Sequence, residues 1–184
     1  MPEDAEGLAR LSEILVFEKP LGGTAQDVVD LARNSLGQCD GAGIQVLEDG
    51  SVSVRATTDS RSFDFDTLQD RLDDGPCVES LRDGERHDLE PVTSDERWPS
   101  FAPSARRAGL IACFALPLIA RGELVGVLNL YAWPAVGFAG WDRQQCAMFA
   151  GRASHLLASA RAYERRQVVI ANLEAQLASI PAAD

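Results

Sequence analysis

The chain has 184 residues, of which 46% are hydrophobic and 24% charged, enough for one globular domain with a sizeable core and too few for two. Its net charge of −11 is uneven: 23 acidic against 9 basic residues through Ser104, then 5 against 8 from Ala105 onward. That disfavours direct nucleic-acid binding by this chain. No run reaches the ~18 apolar residues of a membrane span and no basic, apolar leader opens the sequence, so a cytoplasmic chain with no membrane partner is expected.

Leu8, Leu11 and Leu15 recur at helical spacing until Pro20, which predicts a first amphipathic helix over 1–20. A second is expected to begin at Thr24, where Thr-x-x-Asp resembles a capping box, and to stop at Gly37. The period then becomes two. Ala42, Ile44 and Val46 alternate, Asp49-Gly50 supplies a tight turn, and Val52, Val54 and Ala56 complete a hairpin. An acidic stretch follows with two short helical patterns, Phe65/Leu68/Leu72 and Val78/Leu81. "RHDLE" reads as a short strand, and "SDERWPSFAPSARRAG" as a helix with Pro99 in its first turn and Gly109 beyond its end. These elements are expected to cover a sheet centred on "LIACFALPLI" and "ELVGVLNLYAW", two antiparallel strands joined by an "ARG" turn. Asp142 caps a last helix that can run to Ile180, ~58 Å at 1.5 Å per residue. A compact chain of this length is ~40 Å across, so the distal part should project.

The four cysteines, at 39, 77, 113 and 146, form no C-x-x-C pair and have no histidine cluster beside them, so zinc and structural disulfides are not expected. Cys77 in "DDGPCVESL" follows a Gly-Pro turn at the start of a short helix, where the helix dipole favours a thiolate. Asp73, Asp74 and Glu79 oppose ionisation there. It reads first as a pocket or core residue, then as a redox-sensitive thiol, and last as a nucleophile.

Four stretches, "GPCVES", "DERWPSFA", "LPLIARGELVGVLNLYA" and "FAGWDRQQCAMFAGRAS", in this order and spacing, resemble the GAF domains that precede ANTAR RNA-binding modules in actinobacterial regulators. Where the ANTAR module would follow, the sequence reads "LASIPAAD". The resemblance implies an α+β fold: an antiparallel five- or six-stranded sheet with a helical cover on one face and terminal helices on the other, the core spanning 24–141 and the last helix 142–180. It also implies a sensor with a small-molecule pocket under the cover, controlling an attached or partner output module, in transcription regulation or antitermination. Candidate ligand-binding residues are Cys77, Trp98, Phe101, Phe114, Asn129 and Tyr131. Pleat direction groups Asn129 and Tyr131 with Val125 and Val127, and a buried Asn129 amide must bond either a ligand or a neighbouring segment. Trp98, Phe101 and Phe114 also read as ordinary core.

Some GAF domains hold haem through histidine or bind cyclic nucleotides. His87 and His155 lack a partner by spacing, and Arg106 and Arg107 are phosphate candidates only by location, so no cofactor is assigned. One branch of the family reduces free methionine sulfoxide with pocket cysteines. Here "WPSFAPSARRAG", where that branch carries its attacking cysteine and acid, holds no Cys, Asp or Glu, so a non-enzyme is expected, with the reductase or a purely structural dimerisation module as alternatives. Tyr163, Ile170 and Leu177 recur every seven residues with Leu173 beside them, which predicts a homodimer through the last helix, aided by Leu8, Leu11 and Leu15.

Overall fold

The computed structural model describes residues 19–37, 39–90, 92, 96–133 and 142–179. Among them the order is α1 (Leu21–Ser35), β1 (Gly41–Glu48), β2 (Ser51–Thr57), α2 (Ser60–Leu72), α3 (Pro76–Asp83), β3 (His87–Leu89), α4 (Phe101–Arg107), β4 (Ala112–Ala120), β5 (Glu123–Ala132) and α5 (Arg143–Ala178). The strands form one antiparallel α+β sheet in the order β2-β1-β5-β4-β3. Its two hairpins close through Asp49-Gly50 (φ 50° and 79°) and Arg121-Gly122 (φ 56° and 83°). Both pairs take the left-handed conformation that a two-residue turn between twisted strands demands. The two apolar runs thus become β4 and β5, with β5 in the middle of the sheet.

Each face of the sheet is covered, which is why β4 and β5 read as continuous apolar runs rather than alternations. On one face α1 and α5 pack Val28, Ala32, Phe149, Leu156 and Leu157 against Ile44, Phe114, Leu116, Leu128 and Leu130. On the other, α2, α3 and α4 lie over Cys113, Ala115, Val127 and Tyr131. Val125, which strand alternation groups with Val127, packs with the first cluster instead, near the register shift between Leu118 and Ile119 of the neighbouring strand.

Two boundaries and one buried face differ from expectation. The second helix starts at Leu21, with Pro20 as its N-cap; Thr24 is buried one turn inside, its N–H donating to the Pro20 carbonyl, so there is no capping box. The physical reason is burial of Leu21 against the core. The Trp98–Phe101 segment is not one helix: α4 begins at Phe101, and Trp98 precedes it. Asp74 Oδ2, from the α2–α3 connection, accepts from the N–H groups of both Ser100 and Phe101 at 2.8 and 2.9 Å, satisfying the first turn from outside and fixing the start there. Finally, the buried row of α2 is Ser62, Phe65, Asp66 and Gln69, whereas Leu68 and Leu72 are only partly buried at its edge.

Two glycines of β1 explain how so polar a row reaches the sheet. A Cβ at Gly43 would lie 2.0 Å from Asp66 Oδ2, and one at Gly41 would lie 2.2 Å from Ser62 Oγ. Gly43→Ala should therefore cost ~2–3 kcal/mol of unfolding free energy in urea titrations, since the short Asp66 side chain it meets is held by Tyr131 and Asn129 and yields only by giving up those bonds; a cost below ~0.5 kcal/mol would contradict this packing.

Helix α5 has 36 residues, ~54 Å of rod. Asp142 Oδ1 accepts from the Gln144 and Gln145 N–H groups at 2.9 and 3.0 Å. Its buried residues run from Cys146 to Ala160. Arg161 then donates to the Leu47 carbonyl at 2.7 Å, and Arg165 lies 3.5 Å from Asp49, so the β1–β2 turn holds the helix where burial ends. Tyr163 is half-buried, and Ile170, Leu173 and Leu177 are 47–67% exposed. The helix expected over Leu8, Leu11 and Leu15, and Ile180, lie outside the described residues. No helix among the described residues is long and apolar enough to cross a membrane.

Candidate functional site

Helix α2 is capped by Asp59, whose side chain accepts from the Ser62 N–H, and its 3.6-residue period turns Asp66 and Gln69 toward the sheet. Beneath them β5 presents Asn129 and Tyr131, and β1, registered so that Gly43 faces Asn129, contributes Gln45. From the side, Gly75 with Pro76 at the first helical position brings Cys77 in on α3. Gln45, Asp66, Gln69, Cys77, Ser80, Asn129 and Tyr131 are all fully buried.

Their hydrogen bonds form one network. Asp66 Oδ1 accepts from the Tyr131 hydroxyl at 2.5 Å and from Asn129 Nδ2 at 2.7 Å. Asn129 Nδ2 also lies 3.1 Å from Cys77 Sγ. Gln69 donates from Nε2 to Tyr131 Oη at 3.1 Å and accepts the Cys77 N–H at Oε1 at 2.8 Å. Gln45 Nε2 donates to the Asp66 carbonyl at 3.3 Å. Among the described residues, Asp66 Oδ2, Asn129 Oδ1, Gln45 Oε1 and Ser80 Oγ have no partner. Buried polar atoms in folded proteins are normally paired, so three on the network itself, with Ser80 one turn beyond Cys77 on α3, mark a site with spare bonding capacity.

The electrostatics follow from burial. Desolvation pushes the Asp66 carboxyl up to about 7, against the opposing hydrogen bonds of Tyr131 and Asn129. The thiols of Cys77 and Cys113 and the Tyr131 hydroxyl are all raised well above their ordinary ranges, first by burial and then by the Asp66 charge. The helix N-terminus does not make Cys77 a thiolate; it is a neutral thiol whose Sγ accepts from Asn129 Nδ2, packed against Ala115 and Val127.

Of the candidate ligand-binding residues, Cys77, Asn129 and Tyr131 meet in this network. Trp98 and Phe101 are buried in the neighbouring apolar part of the cover, where Trp98 Nε1 donates to Glu79 Oε2 at 2.9 Å. Phe114 belongs to the other face: it lies in the core cluster that α1 and α5 cover, with the Arg143 guanidinium of α5 5.5 Å from its ring. Its neighbours Cys113 and Ala115 take the cover side, as a period of two requires. His87 stands apart, with Nε2 2.8 Å from Asp83 and Nδ1 3.4 Å from Glu79, and Arg106 and Arg107 are exposed at the end of α4. No group of His, Cys, Asp and Glu among the described residues has a metal-binding arrangement.

The sequence reading missed Gln45, Asp66 and Gln69. The only signal was the spacing of Asp66 and Gln69 with Ser62, a helical stripe of polar residues that reads as solvated until a sheet is placed under it. Phe65 joins this interior to a half-open groove of about 410 Å³ on the outer side of α2, which Arg61, Leu68, Arg71 and Ala108 also line. Arg61 there donates to the Ala108 carbonyl at 2.7 Å and stacks 4.4 Å from the Trp133 ring.

The chain is similar in structure to the GAF domain of a phosphoenolpyruvate-protein phosphotransferase from Coxiella burnetii (TM-score 0.65, 18% identity, covering 89% of this chain and 97% of that one). It is also similar to the GAF domain of the Acinetobacter phosphoenolpyruvate-protein phosphotransferase (0.63, 16%, 86% and 94%) and to a type II free methionine-R-sulfoxide reductase from Thermoplasma acidophilum (0.54, 16%, 78% and 96%). At these identities the likeness is one of fold. No curated protein matches the sequence significantly. The family model of the GAF domain matches residues 18–158, which hold the whole sheet and its cover, and the chain belongs to the GAF domain family.

Proposed function

We propose that this GAF domain is a sensory and regulatory module that takes a small molecule of mixed polarity at the cover face of the sheet and controls an attached or partner output module. The observation that carries the reading is the set of buried, unpartnered oxygens on Gln45, Asp66, Ser80 and Asn129, which a ligand bearing N–H or O–H groups would satisfy. Phe65, Trp98 and Phe101 fill the apolar part of the interior, so ligand entry requires α2 or α3 to shift, with the groove beside Phe65 as the way in. That need for movement suits a sensor, because a ligand that binds only the shifted cover biases its position. An output in transcription regulation or antitermination follows the resemblance to ANTAR-associated domains.

In this reading the chain is not an enzyme: a buried, fully protonated Cys77 is poorly suited to attack a sulfoxide. Signal transfer goes through a homodimer formed by α5. Native mass spectrometry of freshly purified protein, followed by a thermal-shift screen of metabolites, tests the ligand. A bound small molecule whose effect is lost in Asn129→Leu, with that variant still folded, is the expected result. Ligand-free protein with no stabilising compound would favour the structural dimerisation module instead.

A further inference from the structure

The buried side of a cover helix is ordinarily apolar, yet that of α2 holds Ser62, Asp66 and Gln69 with only Phe65 among them. Its seat on the sheet therefore depends on polar contacts, and these converge on one carboxyl. Both donors that reach Asp66 from β5, the Tyr131 hydroxyl and Asn129 Nδ2, go to Oδ1. Oδ2 rests against Gly43 with no donor among the described residues, and two other oxygens of the cluster, Asn129 Oδ1 and Gln45 Oε1, lack donors too. The arrangement is one hydrogen short. A proton on Oδ2 turns that oxygen from an unpaired acceptor into a donor and removes the buried charge.

We infer that a single proton on Asp66 Oδ2 governs the seating of α2: as a carboxylic acid Asp66 lets the helix dock, and as a carboxylate it drives the helix to lift into water. The proton comes from solvent and returns to it, so nothing else is consumed. Among the described residues no cation is placed to hold a carboxylate here. On α2 itself, Asp70 adds negative charge, and Arg61 is turned to Ala108 and Trp133. α3, β4 and β5 present Cys77, Cys113 and Tyr131, all neutral, and β1 presents only the Gln45 amide. The other basic residues of α2 and of the elements packed on it, Arg71 on α2, Arg82 on α3, Arg55 on β2 and Arg106 and Arg107 on α4, are exposed, and Arg82 is paired with Asp73. A buried, unpaired carboxylate is strongly unfavourable, and moving α2 is the local way to hydrate it. Desolvation brings the carboxyl to about 7, so the change falls in the neutral range. This switch shares its oxygens and its moving helix with the ligand reading, but it needs no ligand and is tested on the protein alone.

Hydrogen exchange of the full chain, corrected for intrinsic rates, reads the seating directly. The opening constant of α2 amides should rise about tenfold per pH unit between pH ~5 and ~7 and level off above, because the lifted helix carries one proton fewer. Amides of α1 should show no such slope, and Asp66→Asn should hold α2 flat. A flat α2 in the wild type, or an equal slope in Asp66→Asn, would overturn the proposal. Should Asp66→Asn fail to fold, the Asp66 carboxyl ¹³C resonance decides: titration near pH 7 together with α2 amide shifts supports the switch, and titration near pH 4 overturns it.

Discussion

Unfolding free energy should fall as the pH is raised from about 4 to about 7, then level off, and the fall should vanish in Asp66→Asn. The sign follows from which state holds the proton. The folded carboxyl titrates at about 7 and an ordinary aspartate at 3.8, so between those values the folded chain keeps a proton that the unfolded chain has released. Stability is then lost with rising pH at ~1.4 kcal/mol per unit, at most ~4 kcal/mol over the whole interval. Lifting of α2 caps the loss, because hydrating the carboxylate locally costs less than unfolding. Urea titrations at pH ~4.5 and ~8 check it: Asp66→Asn should match the wild type within ~1 kcal/mol at the lower pH and exceed it by ~2–4 kcal/mol at the higher. Comparing the two proteins removes contributions such as that of the exposed Asp83, whose carboxyl is held low by the Glu85 N–H and whose small effect runs the other way. Equal stabilities at pH ~8 would mean that Asp66 ionises at no cost in the folded protein.

Replacing Ile170 and Leu173 by Glu should convert a dimeric chain into a monomer while leaving the sheet folded. Among the described residues α5 has no buried position after Ala160, yet Ile170, Leu173 and Leu177 are spaced at i, i+3 and i+7, the two-per-heptad seam of a coiled coil. Such a seam facing water is unfavourable at ~25 cal/mol per Å² of apolar area, several kcal/mol for a stripe of this length. A second copy of the same helix, running parallel, covers it most directly. Four buried glutamates in one seam should weaken association at least ~100-fold, which sedimentation velocity resolves. The circular dichroism of the sheet and its unfolding midpoint should barely change, since neither residue touches the globule. A wild-type chain that is monomeric at ~100 µM would remove the dimer and the signalling route through it.

Where the sequence carried strong local chemistry, the fold was readable from it. Asp49-Gly50 and Arg121-Gly122 each sit between apolar runs and each closes a hairpin; Asp142 caps the helix it precedes. The failures come from contacts between distant segments. Phe114 alternates with Cys113 and Ala115 in a run that is apolar throughout, so nothing in the run says which parity faces which layer; only the packing of α5 assigns it. The start of α4 at Phe101 depends on Asp74, 26 and 27 residues from the N–H groups it accepts. Asp66 is the sharpest case. In an acidic stretch it is one carboxylate among many, and its burial depends on Gly43, 23 positions earlier, having no side chain. For the site, Cys77, Asn129 and Tyr131 were reached by position, while the carboxyl that joins them was not.

The grip of the β1–β2 turn on α5 has a mechanical consequence. Arg161 on Leu47 and Arg165 on Asp49 are a hydrogen bond and an ion pair between helix and globule at the point where burial ends, and thirteen residues of helix, ~20 Å, extend from Arg165 to Ala178. The turn is a fulcrum and the free segment a lever arm. Tilting the helix by only ~5° at that point carries its tip ~2 Å sideways, about the size of the helix shifts by which packed interfaces exchange one arrangement for another. Glu48 and Asp49 belong to the hairpin whose first strand also carries Gly43 and Gln45 beneath α2. A sub-ångström adjustment of β1 under the cover would thus reach the far end of α5 magnified, with a single strand as the transmission.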